Sequence, residues 1–169
     1  NGGFFDVSTM RALVIGSHVG TPVLEFRDGA QGTFTALPAD RAMTIASSGA
    51  ATLRLSSNAA VDTTSGSVMM GEAPGALGAI DVSDNAELLL NPAGQLMIGQ
   101  GGGASMTINS GGDVFSGRVG MAALLTGTSN VDVNGTGSLW NITGSLDVSG
   151  GLGIAGGAAN LTVRNNAQL

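Results

Sequence analysis

The chain has 169 residues, 29 of them glycine and none cysteine, and its formal net charge is −6. The glycine content argues against a helical bundle, because each glycine in a helix interior costs about 1 kcal/mol, and the 43% of apolar residues argues against intrinsic disorder. An acidic chain without a basic cluster is not expected to bind nucleic acid, and without cysteine it forms no disulfides or thiolate metal sites.

A short apolar strand motif that ends on a small residue occurs six times. The motifs begin at Leu13, Met43, Val68, Leu96, Val119 and Leu146. A nine-residue pattern follows each motif, at intervals of 25 to 30 residues. Its six copies are LEFRDGAQG from Leu24, LRLSSNAAV from Leu53, IDVSDNAEL from Ile80, MTINSGGDV from Met106, VDVNGTGSL from Val131 and LTVRNNAQL from Leu161.

The nine-residue pattern predicts a strand, a tight corner and a second inward-facing residue. Positions one and three are always apolar and position two is usually polar, which is the alternation of a half-buried strand. Position six is Gly or Asn except at Thr136, and position seven is Ala or Gly, so we expect a left-handed backbone at position six. Position nine is apolar except at Gly32, so we expect it, including Leu139, to face inward.

These repeats predict an all-β fold. Each repeat carries at least two short strands, and we expect a third. Because one repeat cannot bury its apolar positions alone, the strands must stack on their counterparts at a spacing of about 4.8 Å. The expected architecture is a parallel, right-handed β-helix solenoid of about six coils with 25–30 residues per coil, in which residues 1–169 form one segment.

The two ends of the sequence share the same phase of the repeat. Asn1–Phe5 and Asn165–Leu169 both match positions five to nine, so the segment would hold a whole number of coils without caps. Uncapped layers expose strand edges that can pair further. We therefore expect either a longer repeat protein or copies that stack head to tail into a filament. The residues expected at the open ends are Phe4, Phe5, Leu161, Val163 and Leu169.

Residues 131–150, VDVNGTGSLWNITGSLDVSG, resemble the repeats of bacterial autotransporter passenger regions and related secreted β-helix adhesins. Gly137–Trp140, Gly144, Leu146 and Val148 carry this resemblance, and residues 96–114 are similar to the following strand pair. The chain departs from the family pattern at Ser149, where the family usually has Gly.

The resemblance implies export to the bacterial cell surface or the extracellular space and a non-enzymatic, structural or adhesive role without a cofactor. The expected partners are other copies of the chain or continuing chain at both ends, and surface glycans or other host or cell-surface ligands. No apolar run is long enough for a transmembrane segment.

An alternative function is carbohydrate binding or cleavage on an outer acidic face. Position two gives Glu25, Arg54, Asp81, Thr107, Asp132 and Thr162 in consecutive coils. Asp81 and Asp132 would lie about 9.6 Å apart, near the upper limit for an inverting glycosidase. The alternating charges of Glu25, Arg54 and Asp81 favour instead a structural pairing of stacked side chains.

A second candidate surface is the outward ladder of the first strand, Val14, Thr44, Met69, Met97, Gly120 and Asp147. If this face is open to water, Val14, Met69 and Met97 form an apolar partner surface. If the loop from Thr33 to Arg41 covers it, the same residues belong to the core. Trp140 is either a further surface anchor or a cover for a corner.

Two further features of the sequence do not predict a functional site. His18 is the only histidine, and without a second histidine or a cysteine it predicts neither a zinc site nor a catalytic triad. Residues 151–156 match the G-x-G-x-x-G dinucleotide motif, but a strand rather than a helix is expected to follow them. We therefore interpret that motif as a turn.

Overall fold

A computed structural model describes residues 4–7, 13–16, 20–36, 41–149 and 156–169, with the backbone alone for residues 4–7. The regular secondary structure of these residues consists entirely of β-strands. The strands are β1 Phe4–Val7, β2 Leu13–Ile15, β3 Val23–Phe26, β4 Gln31–Phe34, β5 Arg41–Ile45, β6 Ala50–Leu55, β7 Ala60–Thr63, β8 Ser67–Met70, β9 Leu77–Val82, β10 Glu87–Leu90, β11 Gln95–Ile98, β12 Gly103–Asn109, β13 Asp113–Ser116, β14 Arg118–Met121, β15 Thr128–Asn134, β16 Leu139–Ile142, β17 Leu146–Val148 and β18 Ala158–Arg164.

The strands form three parallel sheets of six strands each. Sheet A contains β1, β4, β7, β10, β13 and β16; sheet B contains β2, β5, β8, β11, β14 and β17; sheet C contains β3, β6, β9, β12, β15 and β18. The chain therefore visits the three sheets in turn and forms a parallel β-solenoid of about five full turns, rather than the six expected, which stacks six strands in each sheet. The predicted solenoid and the predicted third strand of each repeat are confirmed. Its right-handed sense stays a prediction.

The register of sheet C confirms the alignment of the sequence repeats. Position one of each copy pairs with position one of the next, from Leu24 and Leu53 at one end to Val131 and Leu161 at the other. Every copy therefore advances the solenoid by one layer. The stacking places equivalent side chains directly above one another, so a residue type that suits one layer suits its neighbours.

The corner between sheets C and A is a two-residue turn with a left-handed backbone at positions five and six. In the fourth copy, Ser110 has φ 50° and Gly111 has φ 81°, and Gly112 N donates to Asn109 O at 2.8 Å. These features define a type I′ turn. The same pair of positive φ angles occurs in the copies that begin at Leu24, Leu53, Ile80 and Leu161.

The fifth copy differs because its corner holds one more residue. Here Gly135 and Gly137 have positive φ, Thr136 does not, and Ser138 N donates to Gly135 O at 3.2 Å. The strand after the corner is displaced by one position, so Trp140 rather than Leu139 pairs with the inward Val114. The prediction that Leu139 occupies the inward position is therefore wrong.

The core is the line of inward side chains along the solenoid axis. Leu53, Ile80, Ile108 and Trp140 are fully buried in it. At Gly32, where the other copies carry an apolar side chain, a Cβ would lie 2.7 Å from Phe26 Cε1, and Phe26 packs edge-to-face against Phe34 at 6.3 Å between ring centroids. The two phenylalanine rings thus fill the space that the missing side chain leaves.

Candidate functional site

The predicted acidic face lies on the outside of sheet C as a single ladder. Glu25, Arg54, Asp81, Thr107, Asp132 and Thr162 pair in consecutive layers. Asp81 and Asp132 are two layers apart, which corresponds to about 9.6 Å between their backbones. The alignment predicted from the sequence is therefore confirmed, and the surroundings of each carboxylate decide what it can do.

Two of the three candidate carboxylates form ion pairs with arginines of neighbouring layers. Arg54 Nη2 lies 3.6 Å from Asp81 Oδ2. Arg164 binds Asp132 through two bonds, Nε to Oδ1 at 3.0 Å and Nη2 to Oδ2 at 2.6 Å. The hydrogen bonds from Arg164 hold the pKa of Asp132 below its ordinary value. A carboxyl group in that state is a poor general acid near neutral pH.

Glu25 stands apart from these pairs. It is exposed and makes no ion pair among the residues that the structure describes. Arg54, its neighbour in the ladder, pairs with Asp81 on the opposite side. The described ranges also contain no group of three or more His, Cys, Asp or Glu side chains arranged to hold a metal ion.

Sequence reasoning missed the acidic pair on the outside of sheet A. Glu87 and Asp113 occupy position eight of successive copies and face each other across β10 and β13. Burial and the nearby Glu87 charge raise the pKa of Asp113, and burial raises the pKa of Asp62 on β7. The signal was present in the sequence, because two consecutive copies carry an acid directly before position nine.

The outward ladder of sheet B also runs in register, from Val14 through Thr44, Met69, Met97 and Gly120 to Asp147. Its exposure is uneven: Val14 is 50% exposed, whereas Thr44 and Met69 are 3% and 7% exposed. Of the two alternatives for this face, the open partner surface is therefore wrong for Met69, because its side chain is covered. Residues 37–40 of the loop proposed as the cover lie outside the described residues.

Trp140 is not a surface anchor. Its side chain has no exposed area, and its indole Nε1 donates to Ser116 Oγ at 3.1 Å inside the core. The physical reason is the extra residue in the preceding corner, which turns Trp140 inward and leaves Leu139 half-buried on the outside. Of the two alternatives for Trp140, the surface anchor is therefore wrong.

Met97, Gly120 and Asp147 of the sheet B ladder line a cleft of about 260 Å³. Its floor includes Met97 and Gly120, and Leu124 of the loop after β14 forms one wall. Arg118 and Asp147 contribute opposite charges to its lining. This part of the outer surface therefore combines apolar area with two charges that make no ion pair among the described residues.

The residues expected at the open ends lie in the first and last layers of the described structure. In the described pairing, β1 pairs with β4 and β18 pairs with β15, each on one side. Leu161 packs partly against the core, whereas Val163 and Leu169 are 38% and 57% exposed. The side chains of Phe4 and Phe5 lie outside the described residues.

His18 and residues 151–155 of the G-x-G-x-x-G motif also lie outside the described residues. The described part of the chain has no helix with the length and hydropathy needed to cross a membrane. The chain matches no family model, no curated protein and no solved structure. The autotransporter resemblance therefore stays a prediction, and the β-solenoid is the firm basis for any functional proposal.

Proposed function

We propose that the chain is a structural or adhesive β-solenoid of the bacterial cell surface or extracellular space, which acts through its outer faces rather than by catalysis. The single observation that supports this proposal best is that the central carboxylates on the outside of sheet C are ion-paired. Asp81 and Asp132, the side chains best placed for carbohydrate cleavage, each form an ion pair with an arginine of a neighbouring layer. Stacked ion pairs and three parallel ladders favour rigidity along the axis.

Head-to-tail association belongs to the same proposal. The first and last described layers present strands that pair on one side, and unpaired strand edges are templates for further pairing. Association of that kind is heterologous and produces an open filament when no rotation closes it. Continuing chain at either end would occupy the same edges.

The adhesive part of the proposal is tested by displaying the chain on bacteria and measuring their retention on cells or glycan-coated surfaces. We expect the displayed chain to increase retention, and Ile108→Asp, which places a charge in the core, to abolish the increase. Asp81→Asn and Asp132→Asn should leave retention unchanged. Retention that is equal with and without the displayed chain would contradict the adhesive role.

The filament part is tested by electron microscopy of the purified chain at high concentration. Six layers predict an axial repeat of about 29 Å per subunit. Single particles without end-to-end contacts would contradict self-assembly. The carbohydrate-cleaving alternative predicts release of reducing ends from polysaccharides that is lost in both Asp81→Asn and Asp132→Asn, and that result would overturn the non-catalytic proposal.

A further inference from the structure

The cleft on the outside of sheet B lies beside strands β11, β14 and β17, and a projecting loop forms one of its walls. Residues 122–127 of this loop stack on the loop of the layer below. Leu124 N donates to Gln100 O at 3.0 Å, and Thr126 Oγ1 donates to Gly101 O at 2.8 Å. Hydrogen bonds between layers therefore fix the wall of the cleft.

The apolar part of the cleft is aliphatic. A Cβ at Gly120 would lie 2.8 Å from Met97 Sδ, so the Met97 side chain extends across the backbone of the neighbouring strand. Leu124 is 44% exposed at the wall. Methionine is flexible and polarizable and adapts to the shape of an aliphatic group. No aromatic side chain occurs among the described residues that line the cleft, so it offers no flat stacking surface.

The two charged side chains that line the cleft make no ion pair with other described residues. Arg41, Arg54 and Arg164 form ion pairs with carboxylates of other strands or loops. Arg118, in contrast, makes no ion pair or side-chain hydrogen bond, and nor does Asp147, within the part of the chain that the structure describes. They lie on adjacent strands two residues out of register, about 8 Å apart at the backbone.

A third polar group points to a ligand. Gln100 also lines the cleft, and its Oε1 is shielded from solvent and has no hydrogen-bond partner among the described residues. A buried acceptor without a partner costs about 1–3 kcal/mol, and a rotation of the Gln100 side chain toward a ligand N–H in the cleft would remove that cost. The lining thus combines a free cation, a free anion and an unsatisfied acceptor around an aliphatic floor.

We propose that this cleft binds a small zwitterion with an aliphatic side chain, the class to which free apolar α-amino acids belong. Its carboxylate would pair with Arg118, its ammonium group with Asp147 and Gln100 Oε1, and its side chain would pack on Met97 and Leu124. A ligand with only a negative charge would meet Asp147 and a chain of net charge −6. This inference goes beyond the structural role and does not depend on it.

Methyl NMR tests the proposal on the intact chain labelled at its seven methionines. The Met97 signal is assigned by its loss in Met97→Leu. L-Leucine should shift this signal in a saturable way. Leucinamide, which lacks the carboxylate, and 4-methylpentanoate, which lacks the ammonium group, should each bind at least roughly tenfold more weakly, because each loses one charge-assisted contact.

Variants provide a second arm of the same experiment. Arg118→Gln and Asp147→Asn should each weaken leucine binding roughly tenfold, while Arg27→Gln, at the exposed Arg27–Asp28 pair on another face, should leave it unchanged. Circular dichroism checks that each variant keeps its strands. Absence of a saturable Met97 shift with leucine, or equal binding of leucine and either single-charge analogue, would overturn the proposal.

Discussion

Trp140 Nε1 donates a hydrogen bond to Ser116 Oγ at 3.1 Å, and both side chains are buried in the core. The two residues lie on adjacent layers of sheet A. Indole N–H groups are usually hydrogen-bonded when buried, and here one inward hydroxyl serves that purpose. Trp140 is the only tryptophan, so its fluorescence reports on this bond and on the core around it.

Ser116→Ala should destabilise the solenoid because it leaves the indole N–H without a partner. The expected cost is about 1–3 kcal/mol. Each kcal/mol lowers the Tm of a chain of this size by roughly 2–4 °C. Thermal unfolding followed by Trp140 fluorescence measures it. In Trp140→Phe the donor is absent, so adding Ser116→Ala to that variant should cost clearly less. Equal costs in both backgrounds would contradict the role of the bond.

Ile108→Asp should unfold the solenoid because Ile108 is fully buried and its side chain faces the core. An unpaired buried charge costs several kcal/mol. Leu55→Asp, two layers away, should act in the same way. Ser105→Asp is the matched control, since Ser105 lies on the same strand but faces outward, between Ala79 and Asn130. Circular dichroism that retains its β signal in Ile108→Asp, with an unchanged Tm, would contradict the inward assignment.

Gly111→Val should lower the Tm because Gly111 has φ 81° and a Cβ there would lie 2.6 Å from Asn85 Oδ1. A β-branched residue in the left-handed region costs about 1–3 kcal/mol. At the equivalent Gly29, with φ 73°, a Cβ would contact nothing, and asparagine occupies this position in other copies. Gly29→Asn should therefore be tolerated. A thermal melt that finds the two variants equally stable would contradict this account of the corner.

Asp113→Asn should stabilise the chain at neutral pH. The folded state raises the pKa of Asp113 through burial and through Glu87, so the ionised form is disfavoured on folding. Stability therefore increases as the pH falls through the raised pKa, and the variant loses its advantage there. Relief of a like-charge cross-strand pair predicts a Tm gain of roughly 1–3 °C. A decrease of the Tm at neutral pH would contradict it.

Asp132→Asn should act in the opposite direction. Its pKa is lowered by the hydrogen bonds from Arg164, so the pair stabilises the fold above the ordinary carboxyl range and loses its effect as the pH falls through the lowered pKa. The variant should have a slightly lower Tm at neutral pH and approach the parent chain in acid. Melting curves of both variants across this range measure the contrast, and shifts of the same sign would refute the assignment of the two carboxylates.

The order of the strands and corners could be predicted because each copy has the same residue types at the same positions. Alternating positions one to three specify sheet C, and Gly or Asn at position six specifies the corner. Local insertions could not be predicted. Gly135 and Gly137 flank Thr136 and offer two left-handed backbones, and only the pairing of Trp140 with Val114 distinguishes the two alignments.

The candidate sites were less predictable because side chains also interact across layers out of register. Arg164 reaches Asp132 from position four rather than from position two, where the ladder places Thr162. Burial of Met69 depends on what covers an outward residue, which strand periodicity does not specify. The cleft at Arg118 and Asp147 depends on how far the loop at Leu124 projects from the sheet. That distance is set by the packing of the layers and not by the strand pattern.

The central claim is that every repeat advances the solenoid by one layer, and spin-label distances test it most directly. The chain has no native cysteine, so labels can be placed at Glu25→Cys with Thr162→Cys, and at Arg54→Cys with Thr162→Cys. The pairs are five and four layers apart, which predicts backbone separations of about 24 and 19 Å. Two narrow distributions that differ by about one layer spacing, 4.8 Å, are the predicted result. Broad distributions, or distances that do not change with the number of layers, would contradict the stacked register.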